Sequence, residues 1–342
     1  MKIVEKISRF SFIKYLALMG VTLCLCLANV TSSYGQDLSN KGDFSGVIKS
    51  KTGTMLEFEG GFAVDTAGAD IASQAGAFNL SLIEVLTNTP ATARIEVDPR
   101  STPERVVLKA DHVSVGLLPN EVVFIAPIQR IDGKTITVFS KDIRIENETL
   151  VLRRKKKKAK PSTFATVNLG DTVLVDALFV NGQLVARKII KVETPVYGNG
   201  FFVIGNVESV SLPSVNLVGG VEVELSNFMF NANIEKDDLM YFGFIPNADA
   251  TTPPLNKIFA VALSKNFREP YLAGKVDKID LSKNTITMFN REIRVTSETN
   301  FDGDNKDLKS LNPAQPLFVS FMITASGELV AKTVNQNNLD EK

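Results

Sequence analysis

A stretch of fifteen residues occurs twice in this chain. Thr135–Thr149 reads TITVFSKDIRIENET, and Thr285–Thr299 reads TITMFNREIRVTSET. Eight positions are identical. Five more keep their chemistry: Val138/Met288, Ser140/Asn290, Lys141/Arg291, Asp142/Glu292 and Ile145/Val295. The offset is constant and ungapped, so one folded unit is used at least twice.

A looser pattern extends the repeat to four. A small residue precedes a β-branched one by two at Gly46/Ile48, Ala126/Ile128, Gly205/Val207 and Gly274/Val276. Each unit closes on Ala with an aliphatic residue three further on: Ala110/Val113, Ala186/Ile189, Ala260/Leu263 and Ala331/Val334. Opening-to-closing distances are 64, 60, 55 and 57 residues. This predicts units at 44–115 (the most divergent), 121–193, 201–264 and 271–336.

Inside a unit the apolar runs are short and alternate. The second unit reads PIQRI, an Asp132-Gly133 turn, TITVF, DIRIE, then TVLVDALFV, an Asn181-Gly182 turn and QLVARKIIKV. Asp-Gly and Asn-Gly between β-branched runs are hairpin signals. No window of helical length carries a sustained apolar stripe. The expectation is an all-β chain: a tandem array of four five- to six-stranded, barrel-like units, each closed to remove its exposed edges.

Residues 1–35 read as a signal peptide forming an N-terminal helix. A basic segment ends at Lys14, an apolar run covers Tyr15–Val30, and Ser33 and Gly35 are small. This predicts cleavage before Gln36, with an uncleaved anchor as the alternative. Both cysteines, Cys24 and Cys26, lie in that segment, so the mature chain would hold no disulfide. It would carry 34 basic and 37 acidic residues. No global basic field points to nucleic acid.

The segment Gly274-x-Val276-x-x-Ile279-Asp280, Thr285-Ile286-Thr287, Ile293-x-Val295, Thr299 and Gly327-x-Leu329-x-Ala331 resembles a domain of unknown function found in exported bacterial proteins. The match is fullest in the fourth unit, good in the second, partial in the third and faint in the first. The resemblance implies small all-β domains, often in tandem, and location outside the cytoplasm. It carries over no catalytic residue.

Local features add candidate chemistry. Arg153, Arg154, Lys155, Lys156, Lys157, Lys158 and Lys160 form a run that repels itself. It reads as a solvated insert between two strands, or as a site for an anionic polymer or lipid surface. Asp302, Asp304 and Asp307 cluster oxygens of the kind Ca²⁺ prefers, but Lys306 breaks the EF-hand order and favours a polar loop. His112 is the single histidine and reads as a strand residue. Phe201, Phe202, Phe228, Phe230, Phe242 and Phe244 read as core of the third unit.

With one histidine and no mature cysteine, the expectation is a non-enzymatic module with no cofactor. It would sit in the periplasm or on the cell surface, without a membrane span in the mature chain. Its partner would be an anionic envelope polymer or another envelope protein, and no nucleic acid.

Overall fold

The computed structural model describes residues 41–74, 79–99, 101, 106–155, 158–192, 201–225, 233–246, 256–265, 269–303 and 305–336. Among them the regular structure is strand, with four three-residue 3-10 turns. The expected signal helix lies outside the described residues. Contacts divide the chain into two bodies. One is Asp43–Tyr271 with Ala325–Gly327; the other is built on Leu272–Thr324 and Glu328–Lys342.

The first strands are β1 (Lys41–Thr52), β2 (Met55–Phe58), β3 (Phe62–Asp65), β4 (Asp70–Ser73), β5 (Pro90–Val97) and β6 (Val107–Val115). Next come β7 (Glu121–Asp132), β8 (Thr135–Val138), β9 (Lys141–Lys155), β10 (Lys158–Pro161), β11 (Thr172–Val180) and β12 (Gln183–Val192). Then follow β13 (Phe201–Ser211), β14 (Ser214–Leu217), β15 (Val221–Glu224), β16 (Asp238–Pro246) and β17 (Asn256–Lys265). The last group is β18 (Tyr271–Gly274), β19 (Lys278–Asp280), β20 (Thr285–Met288), β21 (Arg291–Arg294), β22 (Asn300–Asp302), β23 (Leu317–Ile323) and β24 (Leu329–Asn335).

The all-β expectation agrees with these elements, but the picture of four separate barrel-like units is corrected. Strands β7 to β17 form one 11-stranded sheet. Within Glu121–Val192 the pairing passes through β7, β8, β9, β12 and β11 and returns to β7. That circuit is not self-contained. β7 also pairs antiparallel with β13, Phe202 to Ile125 and Gly205 to Val122, across the expected boundary. One hydrophobic cluster then runs from Val122 to Phe244. In it the rings of Phe139 and Phe244 stand 5.0 Å apart.

The cause is burial on both faces. In β7 every residue from Glu121 to Ala126 is buried. Val122, Phe124 and Ala126 enter that cluster, while Val123 and Ile125 enter a second one with Leu152, Leu174, Ile190, Phe202, Ile204, Leu239 and Tyr241. A strand with two apolar faces needs a covering layer on each side, and a single small barrel supplies only its interior. Phe202, Phe242 and Phe244 are core residues, as expected. Phe228 and Phe230 lie outside the described residues.

The fifteen-residue repeat does the same work in both places. Ile136 pairs Ile143, which lies beside Leu184 of β12; Ile286 pairs Ile293, which lies beside Leu329 of β24. Phe139-Ser140 and Phe289-Asn290 both turn with positive φ, between 49° and 59°. That geometry suits a two-residue hairpin but is uncommon for non-glycine residues. A side-chain oxygen from earlier in the chain steadies each turn: Ser140 N donates to Gln129 Oε1, and Asn290 N donates to Asp277 Oδ2. The closing threonines match too. Thr149 Oγ1 donates to Ala186 O at 2.7 Å, and Thr299 Oγ1 to Ala331 O at 2.9 Å. Those carbonyls belong to the closing alanines of the sequence pattern.

Candidate functional site

The described part of the basic run is strand. β9 continues through Arg153-Arg154-Lys155, and β10 folds back antiparallel on it at the edge of the sheet. The register sets Lys160 opposite Arg153, Ala159 opposite Arg154 and Lys158 opposite Lys155. Strand alternation then sorts the cations. Arg153, Lys155, Lys158 and Lys160 are exposed on one face of the hairpin. Leu152, Arg154 and Ala159 take the other, against the second core. Lys156 and Lys157 lie outside the described residues. Lysines on an edge strand also discourage pairing with a further strand.

Arg154 is 6% exposed, because Glu84 neutralises it. Its Nη2 meets Glu84 Oε1 in a pair whose side chains are 7% and 1% exposed. Glu84 ends the 3-10 turn Leu82–Glu84, and its Oε2 accepts from both Ser81 N and Ser81 Oγ at 2.6 Å. Lys188 Nζ donates to Glu84 O at 2.8 Å and stands 3.4 Å from Asp176 Oδ2. Lys51 Nζ donates to the carbonyls of Leu82, Ile83 and Val85. Burial, then the charge of Lys188, lowers the Lys51 pKa.

A β-bulge brings two consecutive cations into this cluster. Pairing of β11 with β12 shifts between Asp176 and Ala177, leaving Arg187 as the extra residue beside Lys188. Bulges re-aim side chains in this way. Arg187 Nη1 reaches Glu121 Oε1 at 3.1 Å, and its Nη2 donates to Thr87 O and Thr89 Oγ1. Glu121 is fully buried and accepts from Leu118 N at 2.7 Å. Burial pushes its pKa well above the usual carboxylate range, and the hydrogen-bonded Asp176 carboxyl reinforces the shift. Asp176 is lowered against its own desolvation, first by Lys188 and then by the bond to Glu121. Burial and the neighbouring Asp176 thus favour the protonated form of Glu121, while Lys188 favours the ionised form of Asp176.

Asp176 and Lys188 also line a cavity of about 40 Å³ with Ser73, Leu174, Ile204 and Leu239. Chemically the cluster is a buried polar seam. It fastens the connection around residues 81–89 to the outer face of the sheet. Sequence reasoning missed Glu84, Glu121, Asp176, Arg187 and Lys188. The available signal was Asp176 within VLVDALFV and Lys188 within ARKIIKV. A charge inside a buried strand needs a partner, and these two are cross-strand neighbours.

The other candidates are placed apart. Asp307 caps a 3-10 turn, accepting from Lys309 N and Ser310 N. Asp302 accepts from Gly303 N and Asn335 Nδ2. Asp304 lies outside the described residues. Among the described residues no group of three His, Cys, Asp or Glu is arranged to hold a metal. His112 is exposed on β6, between Asp70 of β4 and Arg94 of β5.

Residues 126–190 and 273–335 match the family model DUF5666, a domain of unknown function. Two segments of the chain are DUF5666-like. They contain the two copies of the fifteen-residue repeat and both closing alanine contacts, Thr149–Ala186 and Thr299–Ala331. The four-unit resemblance is corrected accordingly. The matches cover the second and fourth windows, while 44–115 and 201–264 fall outside them. The basic hairpin lies within the first DUF5666-like segment, whereas Glu84 lies before it. No curated protein and no solved structure matches the chain. Among the described residues no helix is long and apolar enough to cross a membrane.

Proposed function

We propose that this chain is an exported, non-enzymatic binding module of the cell envelope, and that it holds an anionic polymer on the exposed face of the β9–β10 hairpin. The observation that carries this reading is the register. Arg153 stands opposite Lys160 and Lys155 opposite Lys158, all exposed. Four cations gathered on one face of a two-stranded edge make a compact positive surface that a polyanion complements. Near an anionic surface each such cation contributes roughly 1 kcal/mol. Export rests on the basic, apolar and small-residue order of residues 1–35.

The test compares the native chain with a variant carrying Ser at 153, 155, 158 and 160. The native protein, its mass measured to begin near Gln36, is titrated with extracted envelope polymers and with anionic vesicles at low and moderate salt. The native chain should bind the polymer in a salt-sensitive manner, and the variant should lose most of that binding at an unchanged melting temperature. Equal binding by both proteins, or preference for vesicles over polymer, would reject the reading.

A further inference from the structure

The cationic face is carried by a hairpin whose opposite side is pinned from elsewhere in the chain. Arg154 lies in β9 between two exposed cations, and its guanidinium is buried against a carboxylate 70 residues earlier in sequence. That carboxylate is fully committed, with Oε1 on Arg154 and Oε2 on Ser81. The turn bearing it is held in place by Lys51, which takes three of its neighbouring carbonyls, and by Lys188, which takes the Glu84 carbonyl. β10 itself has four residues, lies at the sheet edge and, among the described strands, pairs with β9. Its inward side rests on Ala159, against the second core, and on the pairing with Arg154.

From this we infer that Glu84 is a positioning residue for the cationic face: through Arg154 it holds the hairpin so that Arg153, Lys155, Lys158 and Lys160 form a preorganised array. The inference rests on the polyanion reading and adds a second segment to the site. A preordered array loses less conformational freedom on binding, which raises affinity without adding a contact. Coupling is reciprocal, so an occupied face should also steady the turn at residues 81–85.

Heparin, a sulfated linear polymer, serves as the probe. Affinity is measured over a range of salt for the native chain, for Glu84→Gln and for the double variant Glu84→Gln/Arg154→Met. The double variant leaves no buried unpaired charge, so it remains informative if the single variant does not fold. Both should bind about three- to tenfold more weakly. Their salt slope should be unchanged, because the four exposed cations remain. In the native chain, heparin should slow amide exchange at residues 81–85 as well as at 158–160. Affinities of the folded variants within about twofold of native would overturn the inference while leaving the polyanion reading standing. A native chain that does not bind heparin or envelope polymer would reject both.

Discussion

Glu84→Ala lowers the stability of the chain by about 3–5 kcal/mol, the usual consequence of leaving one member of a buried ion pair alone. Arg154 would keep its charge at 6% exposure with its carboxylate gone. Its Nε already lacks a hydrogen-bond partner, so the residue has no second acceptor in place. Ser81 would lose the acceptor for both its N–H and its hydroxyl. Urea unfolding should show a lower midpoint at an unchanged slope. Asp142→Ala is the control. That residue forms a well-made pair with Arg130 at 2.9 Å, but both side chains are more than half exposed. Exposed pairs contribute little, so its midpoint should barely move. A midpoint for Glu84→Ala close to that of Asp142→Ala would show that the buried pair does not stabilise the fold.

The second large effect is in pH dependence, and it centres on Glu121. Asp176 from β11 and Arg187 and Lys188 from β12 face it or its partner, with Glu84 beside Lys188 and Lys51 beyond. The folded pKa of Glu121 is raised, so folding takes up a proton there. The stability this supplies is complete below the unfolded carboxylate value and is lost as pH rises through the folded value. Asp176 has the opposite sign. Its folded pKa is lowered, so its contribution is present above the unfolded value and is lost as pH falls through the folded one. Stability should therefore decline on both sides of a mildly acidic maximum.

Glu121→Gln should abolish the decline on the alkaline side at small cost. The amide resembles the protonated acid and can still accept from Leu118 N and donate to Asp176. Within the titration window the native slope approaches at most about 1.4 kcal/mol per pH unit. Asp176→Asn should instead cost several kcal/mol near neutral pH, about as much as other broken buried pairs, because Lys188 keeps its charge without a carboxylate. If Glu121→Gln leaves the pH profile unchanged and destabilises as strongly as Asp176→Asn, then Glu121 is ionised in the folded chain.

Much of the local structure was legible in the sequence. Asn181-Gly182 predicted a tight hairpin, and both residues have positive φ there, 50° and 78°. The fifteen-residue repeat predicted two equivalent units, and its identities coincide with the turn and the threonine bond that each copy uses. The sheet was not legible. A barrel-like unit gives each strand one inner face, whereas continuous apolar runs such as VVFIA, VLVDA and FVIG signal burial on both. That second face allows β13 to continue the sheet past the expected boundary.

The site failed to appear for a related reason. In a run of charges, composition says only that the segment is solvated. Which cation turns inward depends on strand parity and on a carboxylate brought close by the fold. Neither Glu84 nor the bulge at Arg187 has a local signal. Arg154 sits two residues after Leu152, which is apolar and buried, and that spacing is the hint that Arg154 turns inward.

The basic segment has a buried side, at Arg154, and an exposed side. Both native cysteines lie within residues 1–35, so a chain beginning at Gln36 is a thiol-free background. Single Cys substitutions at 153, 154, 155, 158 and 160 can then be timed against a water-soluble thiol reagent under native conditions. The predicted result is fast modification at 153, 155, 158 and 160, and protection at 154 until the chain is unfolded. Uniformly fast modification at all five positions would return the segment to a solvated loop.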